Sequence, residues 1–314
     1  MRVLLTGATS FTGMWFAETL AANGHEVVAA IRSEKTAYSG IRAERLERVC
    51  ACCRPVWNMV FGSARFVDAI AQEGPFDVLC HHGAVVAGYK SPEFDAVSAA
   101  GSNAQSLRAV LNTLRDAGCG RVVLTGSIFE IGEGAGTAPL RAFSSYGLSK
   151  SLTSAIFEFH TAQEGFALGK FVIPNPFGPY EDPRFTEYLM RCWCDGTTAT
   201  VGTPRYVRDN IHVSLLAAIY AMFVRTLPRT GLHRINPSGY IETQGAFAYR
   251  FAREMGARLT METPLELARQ TAFPEPAIRV NTDIVIDVES DWNEHAAWDE
   301  LAEYYAGRLA IRRR

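Results

Sequence analysis

Between Val3 and Ile173 short apolar runs alternate with helix-spaced segments, and this alternation constrains the fold of the 314-residue chain more than any other feature. Val3–Leu5, Val27–Ile31, Val56–Phe61, Val78–Cys80, Arg121–Leu124 and Lys170–Ile173 read as six strands. Helical patterns fall between them. Gly13–Ala22 ends at Gly24, as helices do at a C-terminal glycine. Ile41–Cys50 keeps Ile41, Leu46 and Val49 on one side and arginines on the other. Ser102–Ala117 ends at Gly118, and Ser144–Gln163 follows. This order predicts an α/β fold: a doubly wound parallel sheet with helices on both faces. Such sheets take ligands at the carboxyl ends of their strands.

The second half is less regular and richer in proline, with Pro174, Pro176, Pro179 and Pro183 close together and Pro274 and Pro276 further on. The change predicts a boundary near residue 176, with the sheet domain over 1–175 taking back part of 200–240. A smaller C-terminal, substrate-binding lobe over 176–314 is expected beside it. Within that lobe Ile284–Val288 reads as a strand. Glu294–Leu309 reads as a helix with Trp298, Leu301 and Tyr305 toward the core. Leu215–Val224 is apolar but short, and reads as a buried helix.

Composition excludes several classes. Hydrophobic residues make up 48% and charged residues 20%, which rules out a disordered chain. Lys+Arg 31 against Asp+Glu 33 leaves a net charge of -2, so no basic field exists to hold nucleic acid. The closing Arg312-Arg313-Arg314 is too short to change this and reads as a solvated tail. The opening apolar run is too short for a signal peptide, and no stretch approaches the roughly 20 apolar residues of a membrane span. A cytoplasmic protein is therefore expected. The 7 cysteines argue against a disulfide framework. Cys50, Cys52, Cys53, Cys192 and Cys194 lack the usual C-x₂-C spacing of a metal site, so no metal is expected. Cys80 and Cys119 read as small buried hydrophobes.

Chemistry begins at the turn after the first strand. In Thr6-Gly7-Ala8-Thr9-Ser10-Phe11-Thr12-Gly13, Gly7 suits a tight turn and Gly13 close packing of helix on sheet. The helix start then offers free N–H groups and a positive dipole end to a pyrophosphate. Gly7, Ser10, Phe11, Thr12 and Gly13 are thus cofactor candidates. The end of the second strand reads Ala30-Ile31-Arg32-Ser33, with no carboxylate before Glu34. An acidic residue there would bind the ribose of NAD. Arg32 suits a 2′-phosphate instead, and Ser33 adds a hydroxyl, so NADP is favoured and NAD is the alternative.

Tyr146 and Lys150 stand four apart at a helix start and so share a face. A neighbouring ammonium lowers a phenol's pKa toward the working range. Such a tyrosine can exchange a proton with a substrate oxygen while hydride moves. The chain has 11 tyrosines and only four lysines, so chance would place a Tyr-x-x-x-Lys in it about 0.14 times. The fifth strand runs into Thr125-Gly126-Ser127, which puts Ser127 at the ligand end of the sheet.

At this point the chain resembles the extended short-chain dehydrogenase/reductases, also called the NAD-dependent epimerase/dehydratase family. Asp77-Val78-Leu79-Cys80-His81-His82-Gly83-Ala84 is similar to the family's D-V-V-x-H-x-A-A, which adds Gly83 and Ala84 to the cofactor contacts. Ser10 stands where the family's turn usually has glycine. Ser127, Tyr146 and Lys150 match its catalytic triad. Asn175-Pro176-Phe177-Gly178-Pro179 resembles N-x-Y-G-P, and Arg208-Asp209-Asn210-Ile211-His212-Val213 resembles R-D-F-I-H-V. The resemblance implies a Rossmann domain, a nucleotide-activated sugar as substrate, and Asn175 and Arg208 on its diphosphate. It also implies a homodimer built on the Ser102–Ala117 and Tyr146 helices.

The chain departs from the family at Gly62-Ser63, at Ser98 and in lacking L-G-W-x-P. The family's 4,6-dehydratases carry Thr-Asp-Glu at the triad serine. Here Ser127-Ile128-Phe129 offers no acid or base beside it, and Glu130 is out of register by one. The expected reaction is NADPH-dependent reduction of a keto group on a nucleotide-linked deoxysugar. A sugar epimerase with bound NAD is the alternative, and a non-catalytic dinucleotide sensor is a third.

Overall fold

The computed structural model describes residues 1–309, so the arginine tail read above lies outside the described residues. Two compact units divide the chain. Among the described residues, one comprises 1–133, 140–173 and 217–236; the other comprises 134–139, 174–216 and 237–309.

The first unit is built on a seven-stranded sheet. Its strands lie in the order Leu232–Ile235, Ala167–Ile173, Arg121–Ser127, Val78–His81, Arg2–Thr6, Glu26–Ala30, Arg54–Val56, and every pairing is parallel. The order reverses between Arg2–Thr6 and Val78–His81, the place where doubly wound sheets open a ligand crevice. The central strands are apolar along their whole length, as strands covered on both faces must be. Val3, Leu5, Val78, Cys80, Val122 and Val123 are all fully buried. Leu107, Val110, Leu111 and Leu114 recur at helical spacing and close one side of the core. Phe16 stacks on Tyr220 at 3.9 Å within the same unit.

Three elements differ from the sequence reading. The third strand is Arg54–Val56 and stops where Asn58 turns to a positive φ of 60°, so Val56–Phe61 is mostly turn. The helix read as Ser102–Ala117 is two, Ala96–Asn103 and Leu107–Asp116, broken at Ser106, whose φ of 48° no continuous helix allows. Ile284–Val288 is not a strand; Ile286–Glu289 forms one helical turn. The seventh strand, Leu232–Ile235, escaped notice because it is a half-exposed edge strand with His233 and Arg234 in its middle.

The second unit packs Phe185–Cys194, Gln244–Leu259 and Glu294–Arg308 around an aromatic core. Phe247, Phe251, Trp298 and Tyr305 are buried there. Asn175–Phe177 pairs in parallel with Val207–His212, which sets Asn175 opposite Asn210. No helix among the described residues is long and apolar enough to cross a membrane.

Candidate active site

The glycine turn folds as its residues dictate. Ser10 caps the helix Phe11–Ala22 by accepting the Gly13 N–H at 3.1 Å, and it donates its own proton to the Gly7 carbonyl at 2.9 Å. Gly7 has a φ of 75°, and a Cβ there would lie 2.7 Å from the Gly83 nitrogen. Glycine is therefore required both by the turn and by the close approach of the fourth strand's end. The Phe11 and Thr12 N–H groups sit in the first turn, ahead of any intrahelical acceptor.

His82 was not singled out as a site residue in the sequence, yet it is the hub of this turn. Its Nε2 lies 2.9 Å from Ser10 Oγ and 3.0 Å from Thr12 Oγ1, and its Nδ1 lies 3.1 Å from Thr125 Oγ1. With a hydrogen on Nε2 the ring donates to Ser10, whose own proton goes to Gly7, and Nδ1 then accepts from Thr125. Burial first, and then Lys150, push the His82 pKa down to about 3, so the ring is neutral. The preceding His81 is fully buried against Thr6 and the Asn103 carbonyl. Gly83 donates its N–H to Thr6 Oγ1 at 2.9 Å, and Ala84 follows it.

The catalytic candidates come together on the first unit. Ser144 caps the helix Ser145–Gln163 through the Gly147 N–H. A Cβ on Gly147 would lie 2.3 Å from the Phe129 carbonyl, so glycine lets this helix press against the loop after Ser127. Tyr146 is half-buried, with the rings of Tyr89 at 5.4 Å and of Phe94 and Phe129 at 6.5 Å around it. Lys150 is buried and donates from Nζ to the Thr125 carbonyl at 2.6 Å. Burial pushes its pKa down; Glu130 opposes that change and Lys170 adds to it. Ser127 Oγ accepts the Phe129 N–H at 3.2 Å, which leaves its hydroxyl proton to donate elsewhere. Glu130 is held by the Ser127 N–H, by Ser154 and by Lys170.

Arg32 and Ser33 line a pocket of about 490 Å³ with Ala37, Tyr38, Ser39 and Arg42. Its lining thus includes two arginines and three hydroxyl-bearing residues and no carboxylate, a residue set that suits a phosphate monoester. Glu34, the nearest acid in sequence, accepts a hydrogen bond from Asn58. Arg42 also lies 3.5 Å from Thr9 Oγ1 on the glycine turn. The signal for Arg42 was present in the sequence as the arginine face of the Ile41–Cys50 pattern.

Asn175 and Arg208 belong to the second unit. Asn175 Nδ2 is buried with no hydrogen-bond partner among the described residues. Arg208 stacks on Tyr206 at 4.3 Å and spends its fork on Glu275 and on the Val207 and Pro276 carbonyls, each at 3.0 Å.

The profile of the NAD dependent epimerase/dehydratase family matches residues 3–234. The chain belongs to that family. It is an enzyme of that class, and its sheet is the family's Rossmann-like α/β fold. No curated protein matches it. Among solved structures it is similar to the UDP-glucuronic acid 4-epimerase of Bacillus cereus, with a TM-score of 0.74 and 13% identity over 98% of this chain and 100% of that one. It is similar also to the dTDP-glucose 4,6-dehydratase of Streptomyces venezuelae, with a TM-score of 0.71 and 20% identity over 99% and 98%. The UDP-glucose 4-epimerase of Bifidobacterium longum gives a TM-score of 0.70 and 18% identity over 98% of each chain. At these identities the likeness is one of fold.

Proposed function

We propose that this family member is an NADP-dependent oxidoreductase of nucleotide-activated sugars, running as a reductase of a keto-deoxysugar. The observation that carries the cofactor assignment is the pocket of Arg32, Ser33, Tyr38, Ser39 and Arg42, cationic and free of carboxylates. The first unit is assigned to the dinucleotide, with Gly7, Ser10, Phe11, Thr12, Gly13, Gly83 and Ala84 around its pyrophosphate and Arg32 on its 2′-phosphate. The second unit is assigned to the substrate. Its Asn175 has an unspent buried donor, and its Arg208 is a fork now closed on the half-exposed Glu275. A diphosphate would take the place of that carboxylate.

NADPH held by these residues would supply the hydride that reduces the substrate's carbonyl. Tyr146 gives its phenolic proton to the oxygen that gains charge. Ser127 donates its unspent hydroxyl proton to the same oxygen and orients it. One Nζ proton of Lys150 is committed to Thr125, which leaves two to face the phenol and the cofactor's ribose. Its positive charge stabilises the phenolate that forms. 4,6-Dehydration is not part of the proposal: Ile128 is buried and apolar and Phe129 packs on Phe143, so neither supplies an acid or a base.

A second reading, an epimerase that keeps NAD bound, draws on the compared structures, three of which were solved with NAD. The same Ser-Tyr-Lys set serves both. One experiment separates them: denature the purified protein, identify the released dinucleotide by mass, and follow NADPH absorbance with a 4-keto-6-deoxysugar nucleotide. Steady consumption of NADPH is the expected result. Co-purified NAD with no net turnover would favour the epimerase. Absence of bound dinucleotide, together with no binding of either added cofactor, would overturn both.

A homodimer is part of the proposal. Val97 and Phe159 stand exposed on the helices Ala96–Asn103 and Ser145–Gln163, which pack side by side.

A further inference from the structure

A cluster of buried charges lies behind Ser127 that the reaction outlined above does not use. Lys170 sits on the strand Ala167–Ile173, and Glu130 and Glu133 in the loop that leaves Arg121–Ser127. All three are almost wholly buried. Lys170 Nζ lies 2.7 Å from Glu130 Oε2 and 2.7 Å from Glu133 Oε1. Glu130 Oε1 accepts the Ser127 N–H at 2.7 Å, and its Oε2 accepts the Ser154 hydroxyl at 2.7 Å. Ser154 is one helical turn beyond Lys150. The Glu130 carboxylate is thus gripped from two strands and the catalytic helix at once. Gly126 leaves it room, since a Cβ there would lie 2.9 Å from Glu130 Oε1.

Buried ion pairs contribute little net stability, because desolvation cancels most of their attraction. What the pair touches is therefore the better guide to its role. We infer that Glu130 and Lys170 form a positioning device for the reaction: Glu130 fixes the peptide that carries Ser127, and both charges sit against Gly126, next to the Thr125 carbonyl that holds Lys150. The inference rests on the proposed roles of Ser127, Tyr146 and Lys150.

The groups around Lys150 support it. His81 and His82, at the end of the fourth strand, are both held neutral, with pKa values near 3. Tyr146 shares its helix and is uncharged until it gives up its proton. Glu133 is engaged by Lys170, Arg234 and Asn236. Burial promotes loss of the Lys150 proton most, Glu130 opposes it, and Lys170 adds to the loss. A phenolate at Tyr146 needs the ammonium form of Lys150. Glu130 is in this way a positioning residue that acts through Lys150 and Ser127.

The chain's four lysines make the test direct. Lysine labelled with ¹³C at Cε gives few signals, and the Lys150 signal is assigned by its loss in Lys150→Arg. In Glu130→Gln the Lys150 titration midpoint is expected to fall by about one pH unit, and in Lys170→Gln to rise by a similar amount. Shifts of the same sign, or none, overturn the inference. Either substitution unbalances a buried charge cluster, so the unaltered chain supplies a second reading. There Lys150 is expected to lose its proton at a lower pH than Lys170, and the reverse order overturns the inference. Neither measurement needs a cofactor or substrate. NADPH binding by the unaltered chain, followed by fluorescence, tests the proposed function separately. Loss of binding with the opposite shifts intact sinks the assigned reaction, whereas binding without the shifts sinks this inference.

Discussion

Lys150 Nζ donates to the main-chain oxygen of Thr125 across 2.6 Å, tying the helix that carries Tyr146 to the strand that ends at Ser127. The lysine is therefore both a charge and a strut. Tyr146→Phe removes only the phenolic proton and is expected to cut the rate of NADPH oxidation by about 10²–10⁴-fold, with the melting temperature nearly unchanged. Lys150→Met removes the charge and strands a buried carbonyl, so it should lose activity and also about 1–3 kcal/mol of stability. Steady-state rates and urea unfolding on the same preparations check both. Full activity in Tyr146→Phe would remove the phenol from the mechanism.

The Arg32 pocket sets cofactor choice. A charge-assisted hydrogen bond contributes about 1.5–3 kcal/mol, which is roughly a tenfold to hundredfold change in affinity. Arg32→Ala is expected to weaken NADP binding by about that factor while leaving NAD binding nearly unaltered. Arg42→Ala should act in the same direction, because its guanidinium lines the same space over the Tyr38 ring. Fluorescence titration of each variant with both dinucleotides measures the ratio. Equal losses for the two cofactors would show that these arginines do not read the extra phosphate.

The sequence carried much of this architecture because the signals are local. A strand, a glycine turn and a capped helix follow one another within Val3–Ala22, and Tyr146 and Lys150 need only helical spacing to share a face. Five of the seven strands were legible because buried parallel strands are continuous apolar runs, whereas Arg54–Val56 is short and partly exposed and shares only Val56 with the expected Val56–Phe61. The seventh was not, since its exposed edge position allows His233 and Arg234. In the sequence His82 shows only as one member of a strand-end motif. Its role depends on Ser10, Thr12 and Thr125, which are distant in sequence and meet only in the folded sheet. Glu130 was weighed as an acid or base; its tie to Lys170 across forty positions is a tertiary fact that spacing cannot reveal.

The glycine turn makes a sharp prediction. Ser10→Ala loses the N-cap and should cost about 1 kcal/mol, whereas Ser10→Gly should cost only a few tenths. Gly13→Ala is different in kind. Its Cβ would lie 2.2 Å from the Gly7 carbonyl oxygen, and no flexible side chain is there to move aside. The turn must then open, so dinucleotide binding is expected to be lost even where the rest of the chain stays folded. Circular dichroism with NADPH titration distinguishes these outcomes. Unimpaired binding in Gly13→Ala would mean that the turn can relax at no cost to the site.

Acid should unfold this protein earlier than its carboxylates alone would dictate. His81, His82 and His212 are held neutral by burial, each with its pKa lowered from 6.5 to about 3. The unfolded chain takes up these protons as pH falls through 6.5, and the folded chain does so only near 3. Stability is thus fully present above 6.5 and declines across that window. Asp209 works the other way. Burial raises its pKa from 3.8 to about 6, so between those values the folded state binds the extra proton and gains stability as pH falls. Three groups outweigh one, and near pH 5 unfolding should take up about two protons per molecule. Urea unfolding between about pH 7 and about pH 4 gives that number from the slope of stability against pH. In His82→Gln the uptake should fall by about one proton, because the amide can still accept from Thr125 and donate toward Ser10 without titrating. A stability that stays flat across this range would mean that the three rings are charged in the folded state, and the neutral hydrogen-bonding assignment of His82 would fail with it.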